Sequence, residues 1–418
     1  MFAKRIATIT LFAAIVFVFI SINCGMASYA ESIEINSTYF PDQNFRDFIS
    51  EEYDRNKNGK IDDFIIAYTT AINCSNRGIA SLEGIEVFEN LEWLNCDGNQ
   101  LTTLDTGWDS KLTELNCSNN KLIDLNVSNN VNLTWLECRD NQLTSLDVSN
   151  NTELTRLACD HNKLTALDVS KNTLLDTLIC NANALKGIDV TNNTALYYLN
   201  CTENQLTTID VSNNKLLEML DCDYNKLKTL DVSKNSILEV LDCSHNQLTK
   251  LDVTKNHDLD WLRCAYNKIA TLDIRNNPQL VTCYFKDSGK KDGEGIHYYF
   301  EKDGKQLYLN VDPATKILVN KKAQPMTVKA ATKTLKAKKL KKKALTVKAI
   351  TVKKSQGKVT YKKLSGSKKL TINKKTGKIT VKKKTKKGTY KIKVRVTAAG
   401  NAKYKAGSKT ITVKIKVK

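Results

Sequence analysis

The chain has 418 residues, 41% hydrophobic and 26% charged, a balance that excludes a disordered polymer and a membrane-embedded bundle and allows two to three domains. The formal net charge of +20 conceals a division: residues 31–284 carry 21 Lys and Arg against 38 Asp and Glu, whereas residues 285–418 carry 41 against 6, with no carboxylate side chain after Asp312. A uniform globule is thereby excluded in favour of an acidic body with a basic tail, and four His without clustered acid–base groups argue against a hydrolase or metalloenzyme.

Lys4 and Arg5 precede an apolar run from Ile6 to about Ile22, and small residues follow up to Ala30. This is the pattern of a secretory signal peptide (residues 1–30) cut after Ala30, so an exported chain with no remaining membrane span is expected. Residues 31–71 read as an N-terminal cap, with one short helix over Asn44-Phe45-Arg46-Asp47-Phe48-Ile49. The segment Asp54-Arg55-Asn56-Lys57-Asn58-Gly59-Lys60-Ile61-Asp62 follows. It resembles a degenerate EF-hand loop, with oxygens at Asp54, Asn56, Asn58 and Asp62 and a glycine at the sixth position, but Ile65 stands where a bidentate Glu is needed. Two readings stay open here: a weak, vestigial calcium site, or a tight turn held by Asx hydrogen bonds, the simpler of the two. No other cofactor is expected.

Cysteines recur at 96, 117, 138, 159, 180, 201, 222, 243 and 264, a spacing of 21, with Cys74 before them and Cys283 after. A fixed period of this kind marks a solenoid. One unit runs Leu133-x-x-Leu136-x-Cys138-x-x-Asn141-x-Leu143-x-x-Leu146-x-Val148-x-x-Asn151. On these residues the chain resembles the nested 21-residue class of bacterial leucine-rich repeat, over about residues 72–284. The fold class expected is therefore a parallel-β leucine-rich-repeat solenoid of about ten coils, on the order of 50 Å long at about 4.8 Å per coil. Leu136 and Cys138 point inward from a short strand, and Leu143, Leu146 and Val148 do so from the opposite side. The Asn column from Asn99 to Asn267 and a second from Asn130 to Asn277 serve the backbone of the turns. Cysteine at a leucine position of stacked coils is read as a buried apolar ladder of unpaired thiols.

Residues 285–322 read as a β-hairpin connector across Asp303-Gly304 that closes the last coil. In residues 323–418, Lys alternates with β-branched and aromatic residues, as in Tyr390-Lys-Ile392-Lys-Val394-Arg-Val396 and Ile411-Thr-Val413-Lys-Ile415-Lys-Val417, with Gly turns between. About seven short strands of an antiparallel sandwich are expected. The runs Gly388-Thr-Tyr-Lys-Ile-Lys-Val394 and Asn401-Ala-Lys-Tyr-Lys-Ala-Gly407 are similar to lysine-rich immunoglobulin-like domains that follow repeats in surface proteins of Gram-positive gut anaerobes. Export and the near absence of Arg turn this charge away from nucleic acid and toward anionic cell-wall polymers. Pairing of the basic tail with the acidic solenoid is the other use of the charge. No Leu-Pro-x-Thr-Gly motif occurs, so covalent sorting to the wall is not expected.

The solenoid's strand face carries the ligand in leucine-rich repeats generally, and the resemblance implies no catalysis. Trp93, Trp135, Arg156, Tyr198 and Trp261 fall in one outward column, Glu137, Asp221 and Asp242 in the next, and Asp223 in a third. These are the candidate ligand-binding residues, with the aromatics as anchors and the acids as a patch for a basic partner. The sequence thus predicts a monomeric, non-enzymatic, secreted or surface-bound adhesion protein whose solenoid binds a protein; the alternative is a glycan stacked on the Trp and Tyr column.

Overall fold

A computed structural model describes residues 32–418 apart from Asp109 and Ser288; the expected export segment, 1–30, lies outside the described residues. Two compact units result, one reaching Leu318 and one spanning Val319–Lys418.

In the first unit, Asp42 does two jobs. One carboxylate oxygen accepts the Phe45 N–H at 2.9 Å and caps helix α1 (Gln43–Tyr53), satisfying an otherwise orphaned donor. The other accepts the N–H groups of Ala80 (2.9 Å) and Ser81 (3.2 Å), tying the helix to the first coil. Phe40, Phe45, Phe48 and Ile49 are buried on that side. Beyond the one helix that the sequence predicts, a second, α2 (Asp63–Tyr68), follows the Asp54–Asp62 loop. Its six residues are too few for a 3.6-residue period to show.

Ten three-residue strands, from Ala71–Asn73 to Trp261–Arg263, pair in parallel and in register, one per coil. Trp135 lies beside Arg156 and Leu136 beside Leu157, as the period of 21 requires. The interior stacks Leu133, Leu136, Cys138, Leu143 and Val148 of each unit, all fully buried. Each coil exposes apolar edges alone, and stacking removes them from water. The ten thiols from Cys74 to Cys264 are buried and unpaired; several donate weakly to the next coil, as Cys180 Sγ does to Asn200 O at 3.5 Å. Burial pushes the Cys180 thiol up to about 12, so it stays protonated.

The asparagine columns turn the coil. Asn183 Nδ2 donates to the carbonyls of Cys159 (3.1 Å), Cys180 (3.2 Å) and Asn181 (3.3 Å), while its Oδ1 accepts Leu164 N–H at 2.9 Å. The bonds reach the preceding coil rather than the following one. In the second column Asn193 Nδ2 donates to Val169 O and Asn172 O.

The last coil departs from expectation in one respect. Cys283 does not continue the strand column; it lies on helix α3 (Pro278–Lys286), opened by Pro278, with its thiol donating to Tyr298 O at 3.0 Å. The hairpin stands as expected, Gly295–Lys302 against Lys305–Val311, with both turn residues at positive φ (Asp303 54°, Gly304 76°). Its second strand pairs in parallel with Trp261–Arg263, placing Tyr308 beside Trp261, and Lys290–Asp292 pairs with the first, so the hairpin and this outer strand extend the ten-stranded sheet to thirteen.

The second unit contains nine strands in sheets of two, four and three, with a short helix α4 (Ala337–Lys342). That is two strands more than expected. The pairing is also not purely antiparallel, because Lys333–Leu335 runs parallel to Ile415–Val417. The two longest strands, Gly388–Ala398 and Gly407–Val417, pair along their whole length. Ile392, Val394, Val396, Val413, Ile415 and Val417 turn inward onto Leu370, Ile379 and Val381, leaving the intervening Lys and Arg exposed. Alternation of this kind gives a core to a segment that charge alone would disorder.

Candidate functional site

The strands set the site. With side chains alternating across each three-residue strand, the first and third residues face outward, and in-register pairing lines them into columns. Trp93, Glu114, Trp135 and Arg156 are consecutive neighbours in one column, and Tyr198, Met219, Val240 and Trp261 follow after Thr177. The tryptophans are half-buried rather than fully exposed.

The column divides into two aromatic ends. At the C-terminal end Trp261 stacks on Tyr308 at 4.6 Å between centroids. Tyr308 was not foreseen, because the 21-residue spacing stops before it and only the hairpin's return to the sheet brings it into the column. At the N-terminal end Trp93 and Trp135 flank Glu114 around a cavity of about 140 Å³, also lined by Asn95, Asn116 and Glu137. Burial raises the Glu114 carboxyl above its usual range, and the Trp93 indole acts against the rise. Arg156 lies with its guanidinium 5.1 Å from the centre of the Trp135 ring, and its Nε donates to Glu137 Oε1 at 3.2 Å. Glu137 also receives Arg139 at 3.3 Å, and Arg139 in turn faces Asp160 at 3.4 Å.

The acidic residues singled out from sequence are drawn into the fold. Asp242 and Asp223 are buried. Asp242 pairs with Arg263 at 2.9 Å, and Asp223 accepts the Thr202 hydroxyl at 2.5 Å. Asp221 accepts the Tyr198 hydroxyl at 3.2 Å, and burial together with neighbouring Asp242 pushes its carboxyl up to about 6. Much of this patch's charge is thus answered within the chain. On the turn after the strands, Tyr224, His245 and Tyr266 stack at 3.9 and 4.1 Å, each at positive φ; desolvation lowers the His245 pKa.

The loop after α1 is held by Asx bonds. Asp54 accepts Asn58 N–H (3.0 Å) and Gly59 N–H (2.9 Å), Asn56 Oδ1 accepts Asn58 N–H (3.1 Å), and Asn58 Oδ1 accepts Lys60 N–H (2.9 Å). Asn56 Nδ2 donates to Asp62 at 3.4 Å. The four oxygen-bearing side chains therefore gather on one loop, but with Ile65 in the twelfth position they supply only two carboxylates. Among the described residues no group of three or more His, Cys, Asp or Glu is placed to hold a metal.

In the second unit a cavity of about 740 Å³ is lined by Tyr361, Leu370 and five lysines, Lys362, Lys363, Lys368, Lys374 and Lys382. Lys363 is committed to the carbonyls of Ser367 and Leu370. Among the described residues no helix is long and apolar enough to cross a membrane.

No family model matches the chain, and no curated protein matches it. Solved structures do. A functional domain of InlJ from Listeria monocytogenes, described as including a cysteine ladder, is 22% identical with a TM-score of 0.42, over 94% of this chain and 100% of that one. An internalin, InlF, from the same organism is 25% identical with a TM-score of 0.49, over 60% of this chain and 83% of that one. A leucine-rich-repeat protein of Leptospira interrogans is 28% identical with a TM-score of 0.47, over 50% of this chain and 57% of that one. The first unit is a parallel β-solenoid with one short strand per 21-residue coil, and the solved structures similar to it include bacterial internalins and other leucine-rich-repeat proteins.

Proposed function

We propose that this chain is an exported, non-enzymatic binding protein in which the strand face of the solenoid recognises a partner protein and the basic second unit, an immunoglobulin-like domain, holds to anionic wall polymers. The observation that carries the reading is the outward column with an aromatic pair at each end, Trp93 with Trp135 and Trp261 with Tyr308. Large apolar side chains left half-exposed in one line are what a partner buries. In this reading the N-terminal helices and the C-terminal hairpin act as caps, because both close an apolar end that a solenoid otherwise exposes. The chain works as a monomer. Lysines around the Tyr361 cavity support an anionic ligand for the second unit. Calcium at Asp54, Asn56, Asn58 and Asp62 is at most a weak accessory, a proposal that a calorimetric titration with a millimolar end point checks.

The test of the solenoid reading compares the full chain with Trp135→Ala on surface proteins and on a glycan array. A protease-sensitive partner retained by the wild type and lost by the variant supports it. Enrichment of oligosaccharides with no protein partner transfers the column to the alternative, a glycan-binding module. The Trp261–Tyr308 stack is the observation that favours this alternative, since adjacent aromatic faces suit sugar rings.

A further inference from the structure

The N-terminal aromatic pair encloses a carboxylate with no ion-pair partner: among the described residues no Lys, Arg or His side-chain nitrogen lies within 4.0 Å of a Glu114 carboxylate oxygen. We propose that the slot formed by Trp93, Glu114 and Trp135 is a recognition site for a single arginine side chain presented by the partner protein, with the guanidinium between the two indoles and paired to Glu114. This rests on the strand-face reading above and specifies the chemistry of one part of that face.

The molecule supplies its own template one coil away. Arg156 lies 5.1 Å from the centre of the Trp135 ring and donates to Glu137, so one indole and one carboxylate of neighbouring coils already hold a guanidinium here. The slot offers two indoles and one carboxylate, without the cation. Trp93 and Trp135 are two coils apart, about 10 Å at the strand spacing, and one flat layer between two rings needs about 3.5 Å of contact on each side. A cavity of about 140 Å³ equals about five water volumes, which suits a guanidinium and its adjoining methylenes. Asn95 and Asn116 line the same floor; their Oδ1 atoms already accept the N–H groups of Asp97 and Ser118, both at 3.1 Å, which leaves one lone pair on each for a further N–H group. Glu137, the other acid lining the cavity, is shared by Arg139 and Arg156, which leaves Glu114 as the acid for an incoming charge.

Arginine is favoured over lysine on two grounds. A planar guanidinium stacks on both faces, whereas an ammonium is a hydrated point charge. Moreover, the chain's own residues after Asp312 carry one arginine, Arg395, among their many lysines. A slot that accepted lysine equally would be open to the lysines of other copies, and a preference for guanidinium removes that competition.

The test uses the full chain and N-acetyl-arginine methylamide, a probe whose only charge is the guanidinium. Four tryptophans give four indole N–H signals, with Trp108 and Trp261 as internal controls. We expect saturable shifts of the Trp93 and Trp135 signals alone, at least threefold weaker affinity for the lysine analogue, and no response to the citrulline analogue. Glu114→Gln should weaken arginine binding at least tenfold while the Trp108 and Trp261 signals of the free protein and the unfolding temperature stay in place, the Trp93 signal alone moving with the loss of its carboxylate neighbour. Equal response to citrulline, equal or better response to lysine, no effect of Glu114→Gln in a folded protein, or shifts produced by oligosaccharides and not by arginine would each overturn the proposal. Loss of partner capture in Trp261→Ala, despite a silent arginine titration, would sink the slot and leave the strand-face reading standing. An arginine-responsive slot in a chain whose partner ignores the column would do the opposite.

Discussion

Asn183 makes four bonds with one amide, and Cys180 beside it makes one weak one. The difference sets how each tolerates change. Asn183→Ala leaves several half-buried backbone groups without partners at 1–3 kcal/mol each, so a loss of about 3 kcal/mol is expected. Cys180→Val keeps the volume nearly constant and should cost less than about 1.5 kcal/mol. Urea unfolding of both variants checks the order, and a costlier cysteine change would mean that the thiol column does more than fill space. Asp221 gives a pH prediction. Its folded carboxyl titrates near 6, above its unfolded value, so the folded state binds the proton more tightly. The group therefore penalises folding fully above about pH 6, and the penalty fades as pH falls toward the unfolded pKa. Asp221→Asn, which can still accept the Tyr198 hydroxyl, should raise stability at pH 7.5 by about 1 kcal/mol, allowing for residual solvent, and change little at pH 4. An equal gain at both pH values would assign the effect to packing.

At the scale of the strand and its column, affinity should sit on the aromatics. Trp135 is half-buried beside a cavity, whereas Asp223 is 8% exposed and accepts a hydroxyl from its own chain. Once a partner is identified, Trp135→Ala should weaken binding about thirtyfold, the scale of an interface anchor, and Asp223→Ala only a few-fold with the larger effect on stability. Calorimetric affinities of both variants would decide, and the reverse order would return the site to the acidic residues. The columns could be read in advance because a spacing of 21 fixes which residues align, and alternation fixes which face outward. What could not be read is what the period does not carry. Tyr308 joins the column only through the hairpin's parallel pairing, Asp242 is ion-paired with Arg263 across a coil, and Cys283 matches the ladder in type but sits on a helix opened by Pro278. The same limit holds in the second unit. Alternating Lys and β-branched residues announced strands with one inward face, but the partition into three sheets depends on contacts distant in sequence.

At the scale of the whole chain, charge separates along the sequence. Residues 285–418 carry 41 Lys and Arg against 6 acids, and along Gly388–Ala398 the positive side chains are exposed while every second residue from Ile392 onward is buried. That much like charge repels itself, and solubility does not require it, which is why an external polyanion is the partner we propose for it. Such binding is electrostatic throughout, because lysines on alternating strand positions offer no bidentate geometry. Its signature is therefore salt dependence. The Debye length falls from about 10 Å at 0.1 M to about 3 Å at 1 M salt, which removes attraction between exposed charges beyond contact distance. The full chain should be retained on Gram-positive walls at 0.1 M salt, be released almost wholly at 1 M, and be competed off by soluble teichoic acid but not by a neutral polysaccharide. The Trp135→Ala variant should bind walls as the wild type does, since the indole carries none of the charge. Sedimentation with washed walls measures all of this, and walls stripped of teichoic acid that hold the chain equally well would remove the wall from its function and leave the lysines to another polyanion.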